Sequence, residues 1–186
     1  MAHNVTERAN GEMEAAFHRH PPWWDQGFKC LDVAMNGEQM QKEAKIDWLV
    51  EQHDLWIHRP VENPDGTITV VHQQVPGMAN IRADNFFHLG NVSSKYKVVQ
   101  NFEAFDFVDA LHQDGIIKYE SAGSLKGGKF VWLLAKMPQE FEIVAGDKLE
   151  QYILFTTAHD GSRAVRVMPT SVRVVCWNTL SLATAN

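Results

Sequence analysis

Three stretches of turn chemistry, each set between two runs of strand-forming residues, constrain this chain more than anything else in it. Asn63-Pro64-Asp65-Gly66 separates Leu55-Trp56-Ile57-His58-Arg59 from Thr67-Ile68-Thr69-Val70-Val71-His72. Ser124-Leu125-Lys126-Gly127-Gly128 joins residues 116–124 to 129–136, and Ala158-His159-Asp160-Gly161-Ser162 joins 150–157 to 163–168. Proline presets the backbone of a turn, Asn and Asp close it with their side chains, and glycine supplies the positive φ that other residues avoid. Three hairpins predict antiparallel pairing. The fold class expected is α+β, an antiparallel sheet of about five or six strands built from hairpins with two or three helices packed on one face.

Helical spacing fills the gaps between the hairpins. Residues 37–52 carry an apolar stripe of Met40, Ala44 and Trp48, with Asn36 or Gly37 as cap. A second helix begins at Asn101, its expected cap, repeats Phe102, Phe105, Val108, Ala110 and Leu111, and stops at Gly115. Residues 73–94 read as loop around Pro76-Gly77, residues 96–99 and 140–144 as short strands, and residues after 173 as a third helix. Residues 1–36 read as an N-terminal arm, because Pro21-Pro22-Trp23-Trp24 does not suit a helix interior and its tryptophans seek burial. Residues 37–186 then form a single α+β domain.

Composition excludes several classes. At 186 residues, 45% hydrophobic and 22% charged, the chain is sized for one domain with a core. No apolar run spans a bilayer and the N-terminus has no secretory pattern, so a cytoplasmic, non-membrane protein is expected. Cys30 and Cys176 lie far apart without a Cys-x-x-Cys pair and read as reduced thiols. The net charge of −6 is uneven. Residues 1–115 hold nine Lys/Arg against seventeen Asp/Glu, whereas residues 116–186 hold eight against six. An acidic total excludes coating of nucleic acid by bulk charge but leaves room for a local basic groove.

The candidate binding residues follow from that asymmetry. Arg163, Arg166 and Arg173 alternate with β-branched residues, and Lys126 and Lys129 flank the glycine-bearing turn. Phosphate contact is the functional reading of these five, and surface or interface ion pairing the competing one. Strand alternation places Arg163 and Arg166 on opposite faces. The Gly123–128 stretch lacks the Gly-Lys-Ser/Thr ending of a phosphate loop, so its glycines are expected in a hairpin turn. The exposed-loop pair Phe86-Phe87 marks a groove or subunit contact. Asn85 and Asn178 are expected to be buried asparagines that pin two backbone segments. No catalytic residue, metal ligand or cofactor is assigned. His159-Asp160 are the best hydrolase or metal candidates, although a turn held by the aspartate is the simpler reading.

Several stretches, taken in order, resemble the phage/plasmid-like protein family, a domain of unknown function on bacterial mobile elements. They are Arg82-Ala83-Asp84-Asn85, Leu89-Gly90-Asn91-Val92-Ser93, residues 96–105, residues 119–129, His159-Asp160-Gly161-Ser162, and Arg173-Val174-Val175-Cys176-Trp177-Asn178-Thr179-Leu180. The resemblance covers residues 82–180 and marks Arg82, Asn85, Asn101, Gly123, His159, Asp160 and Asn178 as motif positions. Pro22-Trp23-Trp24 is similar to the family's Pro-Trp-His-Gly start, with Trp24 in place of the histidine. The resemblance also implies that the family's C-terminal region is absent here. More distantly the pattern is similar to phage single-strand annealing proteins, which assemble into rings or arcs around single-stranded DNA.

The function expected is therefore DNA maintenance on a mobile element: non-specific single-stranded DNA binding, with strand annealing or recombination, by a homo-oligomeric ring or arc. The alternatives are a non-enzymatic interaction or inhibitor protein using the acidic N-terminal half, and a hydrolase using His159 and Asp160.

Overall fold

The computed structural model describes residues 3–24, 28, 30–31, 35–113, 117–144 and 147–185. Its elements in chain order are β1 (Ala15–His18), β2 (Cys30–Leu31), α1 (Gly37–Glu43), β3 (Val50–Glu62), β4 (Ile68–Arg82), β5 (His88–Val92), α2 (Asn101–Gln113), β6 (Lys118–Leu125), β7 (Phe130–Val144), β8 (Asp147–Ala158), β9 (Arg166–Thr170) and α3 (Trp177–Ala183). They form a six-stranded sheet in the order β2-β1-β6-β7-β8-β9 and a three-stranded sheet in the order β3-β4-β5.

The α+β class holds in its broad form, with three corrections. The large sheet is mixed, because β1 pairs in parallel with β2. The connection through residues 19–29 is far longer than a hairpin turn, which is what parallel pairing requires. The described strands number nine in two sheets. The helices do not share one face. Along β7, Val131, Leu133 and Ala135 enter a core cluster with Met40, Ala44, Phe105 and Val108 from α1 and α2. Phe130, Trp132 and Leu134 enter a second cluster with Val174, Cys176, Leu180 and Ala183 around α3. The run Phe130-Val131-Trp132-Leu133-Leu134-Ala135 is apolar on both faces, so the sheet needs a cover on each side. In the same sheet β1 is an interior strand, hydrogen-bonded to β2 and β6.

All three predicted hairpins form, and the first extends beyond its expected limits. Residues 73–82, read as loop, continue β4, while Pro76 and Gly77 are absorbed where the register shifts between Asp54↔Met78 and Leu55↔Val75. A bulge of this kind takes up extra residues without ending the pairing. The helix expected over 37–52 ends at Glu43, capped by Asn36 in a reciprocal box with Gln39. Beyond it Ile46, Trp48 and Val50 are buried while Asp47 and Leu49 are exposed, the alternation of extended chain. Residues 96–99 form no strand. The expected short strand at 140–144 is the far end of β7. In α2 the buried face is Ala104, Phe105 and Val108, with Phe102 exposed. Gly115, expected to stop that helix, lies outside the described residues.

Gly123 sits inside β6 and not in a turn. It faces Trp132 across the ladder, and a Cβ there would lie 2.3 Å from the indole Cη2 and 2.6 Å from the Glu14 carbonyl oxygen. Gly123→Ala is expected to cost about 1–3 kcal/mol by overpacking. A thermal melt should register this as a fall in Tm of roughly 3–10 °C for a chain of this size. An unchanged Tm would show that Trp132 can move aside.

Candidate nucleic-acid interface

The β6–β7 hairpin tip is set by a buried ion-pair clamp. Arg82, at the end of β4, and Glu14, just before β1, have fully buried side chains. The guanidinium donates to Glu14 Oε1 at 2.7 Å and Oε2 at 3.1 Å, to both oxygens of Asp84 at 2.8 and 3.0 Å, and to the Gly127 carbonyl at 3.1 Å. Its flat face lies 4.1 Å from the centroid of a Trp48 ring. Ser124 Oγ donates to Glu14 at 2.5 Å, and Arg8 adds a third donor group at 3.1 Å. Burial opposes the Arg82 charge, but the Glu14 and Asp84 carboxylates outweigh it and raise the guanidinium pKa above its ordinary value. Three segments remote in sequence are thereby tied to the turn at Lys126–Gly128. Arg82 was singled out from its motif. Glu14 was not, and its only sequence signal is a carboxylate abutting the apolar Ala15-Ala16-Phe17.

His159 belongs to the same interior. Its backbone N–H donates to the Lys129 carbonyl at 2.8 Å, its carbonyl accepts from Asn80 at 2.7 Å, and its Nε2 lies 2.9 Å from Asn101 Oδ1. Asn101 in turn donates to the Ile46 carbonyl at 2.9 Å. Asn101 is thus a buried cross-link and not the helix cap. Instead the Gln100 N–H donates to Glu103 at the start of α2, at 2.6 Å. His159 edges onto Trp48, and its buried Nδ1 has no hydrogen-bond partner among the described residues.

Burial pushes the His159 pKa down to about 4, the nearby Asp160 charge only partly opposing it. An unfolded chain titrates this imidazole near its ordinary 6.5. Between those values the unfolded state binds the extra proton, so stability is complete above about pH 6.5 and falls as the pH drops toward 4. The loss should reach about 2 kcal/mol by pH 5. Urea midpoints at the two pH values check this, and His159→Gln should flatten the dependence. An equal acid sensitivity in that variant would assign it to other groups.

On the outside of the clamp, two cations converge on aromatic rings and a third lies beside them. Lys126 is exposed at the tip, in the left-handed region at φ 55°, with Nζ 3.5 Å from the centroid of Trp177 and 5.3 Å from that of Phe130. The Arg163 guanidinium lies 5.6 Å from both rings. Arg163 also donates to Thr184 Oγ1 at 3.5 Å and Arg166 to the Thr184 carbonyl at 3.4 Å, so both reach the end of α3. The expected split of these arginines to opposite faces does not occur, because β9 begins only at Arg166 and Arg163 lies in the preceding turn. Phe87 lies against Gly127, where an added Cβ would come 2.6 Å from its ring, and Phe86 beside it is 78% exposed. A groove of about 410 Å³ runs beside the tip between residues 4–9 and Lys126-Gly127.

The remaining candidates are distributed elsewhere. Lys129 is half-buried just after the tip. Arg173 is held by Glu120 at 2.6 Å and the His20 carbonyl at 2.5 Å. It lines a different cleft, of about 600 Å³, with Lys118 and Lys136. Lys118 and Leu125 are the two ends of β6, so this cleft lies about 23 Å from the tip at an extended rise of 3.3 Å per residue. Asn85 and Asn178 are both exposed, contrary to expectation. Asn85 accepts the Phe87 N–H at 2.9 Å in a tight turn, and Asn178 stands on the first turn of α3. The buried pinning asparagines are Asn80 and Asn101. Asp160 accepts the Ser162 N–H at 2.9 Å, which is the turn role. Among the described residues no three His, Cys, Asp or Glu gather as metal ligands, and no helix is long and apolar enough to cross a membrane.

Fold and surface define the class: an α+β protein built from hairpins, with cations and aromatic rings gathered at one end of its larger sheet. Residues 88–186 match the family described as a domain of unknown function, DUF932, and the chain belongs to that family. The matched region contains Lys126, His159, Arg163, Arg166 and Trp177, while Glu14, Arg82 and the β3–β4 hairpin precede it. Comparison with curated proteins and with solved structures gives no match.

Proposed function

We infer that the chain acts in DNA maintenance on a mobile element by binding single-stranded DNA without sequence preference, at the surface formed by Lys126, Arg163, Arg166 and Trp177. The observation that supports this is the convergence of two exposed cations, Lys126 and Arg163, on the partly exposed Trp177 indole, with Arg166 beside them at Thr184 and Phe87 against the neighbouring Gly127. Single strands are held by charge along the backbone and by stacking of bases on aromatic faces, and neither depends on sequence. The Lys126 ammonium now lies on the Trp177 face that a base would take, so phosphate would draw it aside as a base stacks. Two strands held with exposed base edges can anneal. The chemistry is non-covalent, and Arg173 and Lys129 lie outside this contact. A hydrolase reading has little support, because the His159 imidazole is enclosed and held neutral by burial.

The test is anisotropy of a labelled mixed-sequence oligonucleotide. Affinity is expected to fall roughly 20-fold between about 50 and 200 mM salt if three phosphates are neutralised. A complementary strand should pair faster in the presence of the protein. No binding at low salt would overturn the reading.

A further inference from the structure

Among the described residues nothing covers the outer part of the β3–β4 ribbon. From Leu55 to Glu62, paired with Ile68 to Val75, it has only two strands, since β5 pairs with β4 only at Met78–Ile81. Eight paired residues reach about 26 Å. One face carries Leu55, Ile57, Val61, Val71 and Val75, the other Trp56, Ile68 and Val70. Ile57 is 51% exposed, Trp56 51% and Ile68 71%. A two-stranded ribbon is marginal in water without a surface to pack on. Covering both faces would bury about 1,000 Å² across the two partners, near the lower limit of a specific interface. Between Leu55 and Val75 the ribbon is net acidic, with Glu62 and Asp65 against Arg59, and both carboxylates stand at its tip.

The complementary charge is on the same chain. The cleft at the far end of β6 is lined by Arg19, Lys118, Lys136 and Arg173 against Glu120 and Glu150. Lys136 pairs with Glu150, whose pKa is lowered by that contact and by Tyr152, and Arg173 pairs with Glu120. Arg19 and Lys118, both exposed, have no carboxylate partner among the described residues. Met137 and Pro138 add apolar lining.

We propose that the ribbon is an assembly arm, and that its acidic tip docks in the cationic cleft of a second copy of this chain. Such a contact is head-to-tail, so it propagates into a ring or a filament. It leaves the Lys126 surface open and makes no use of DNA.

Light scattering of the whole chain should give multiples of 21.1 kDa. Replacing residues 58–72 by an Asn-Gly turn should reduce the mass to that of one chain while circular dichroism keeps the folded signal. Arg19→Glu with Lys118→Glu, and separately Glu62→Lys with Asp65→Lys, should each do the same. An equimolar mixture of those two variants should regain the full assembly, because each arm again meets a cleft of opposite charge. A monomeric native chain, an arm-trimmed chain of unchanged mass, or a mixture that stays monomeric would each overturn the proposal. None of these readouts involves DNA, so failure here is distinct from failure of oligonucleotide binding.

Discussion

Replacing Arg82 with Met is expected to destabilise the fold by about 3–5 kcal/mol, the cost of breaking a buried ion pair from one side. The substitution keeps much of the side-chain volume over Trp48. It strips Glu14, whose side chain is fully buried, of both its Arg82 contacts and leaves the Gly127 carbonyl without its Arg82 donor. Arg8 and the Ser124 hydroxyl remain on Glu14 and do not replace a fully enclosed counter-charge. The loss is a large part of the roughly 5–15 kcal/mol that holds a typical domain together. Urea unfolding should show a midpoint lower by about 2 M for an m-value near 2 kcal/mol/M. Adding Glu14→Gln should recover part of the loss, because the stranded charge disappears. A shift under about 1 kcal/mol would mean that the clamp is not what fixes the tip.

The triple change Lys126→Ala, Arg163→Ala, Arg166→Ala should abolish most DNA affinity while leaving the fold intact. The three side chains are exposed, and their hydrogen bonds reach only Thr184. For single strands each neutralised phosphate contributes about 0.7 to the salt slope, so the slope should fall by about 2 and affinity near 0.1 M salt by about 100-fold. Trp177→Leu keeps an apolar contact with Phe130 but removes the stacking face. It should cost about 1–3 kcal/mol of binding, with little change in the salt slope. Charge and stacking are thus read separately. Lys95→Ala, an exposed lysine of the 93–100 loop, serves as the control and should change nothing. Equal losses in the control and the triple variant would indicate bulk charge instead of a site.

Much of this architecture was legible because its cues are local. Asn63-Pro64-Asp65-Gly66 and the glycines at 127 and 128 need particular backbone angles, and those angles reverse a chain whatever surrounds it. Spacing also placed the start of α2. It failed at residues 46–50, where Ile46, Trp48 and Val50 fit a helical stripe and an alternating strand about equally well over so short a window. Burial against the sheet chose the extended form. It failed again for Asn85 and Asn178, since an asparagine in a motif carries no sign of whether it will be enclosed.

By itself the sequence determined the hairpins, the α+β class, the kinship and the separation of acidic from basic halves, all of which follow from residue type and short-range order. Only the tertiary structure decided that Glu14 meets Arg82 across 68 positions, that Arg163 and Arg166 reach the same threonine, and that Arg173 belongs to a different cleft. Those pairings depend on which strands become neighbours. That is a property of the packed sheet as a whole, and no window of sequence contains it.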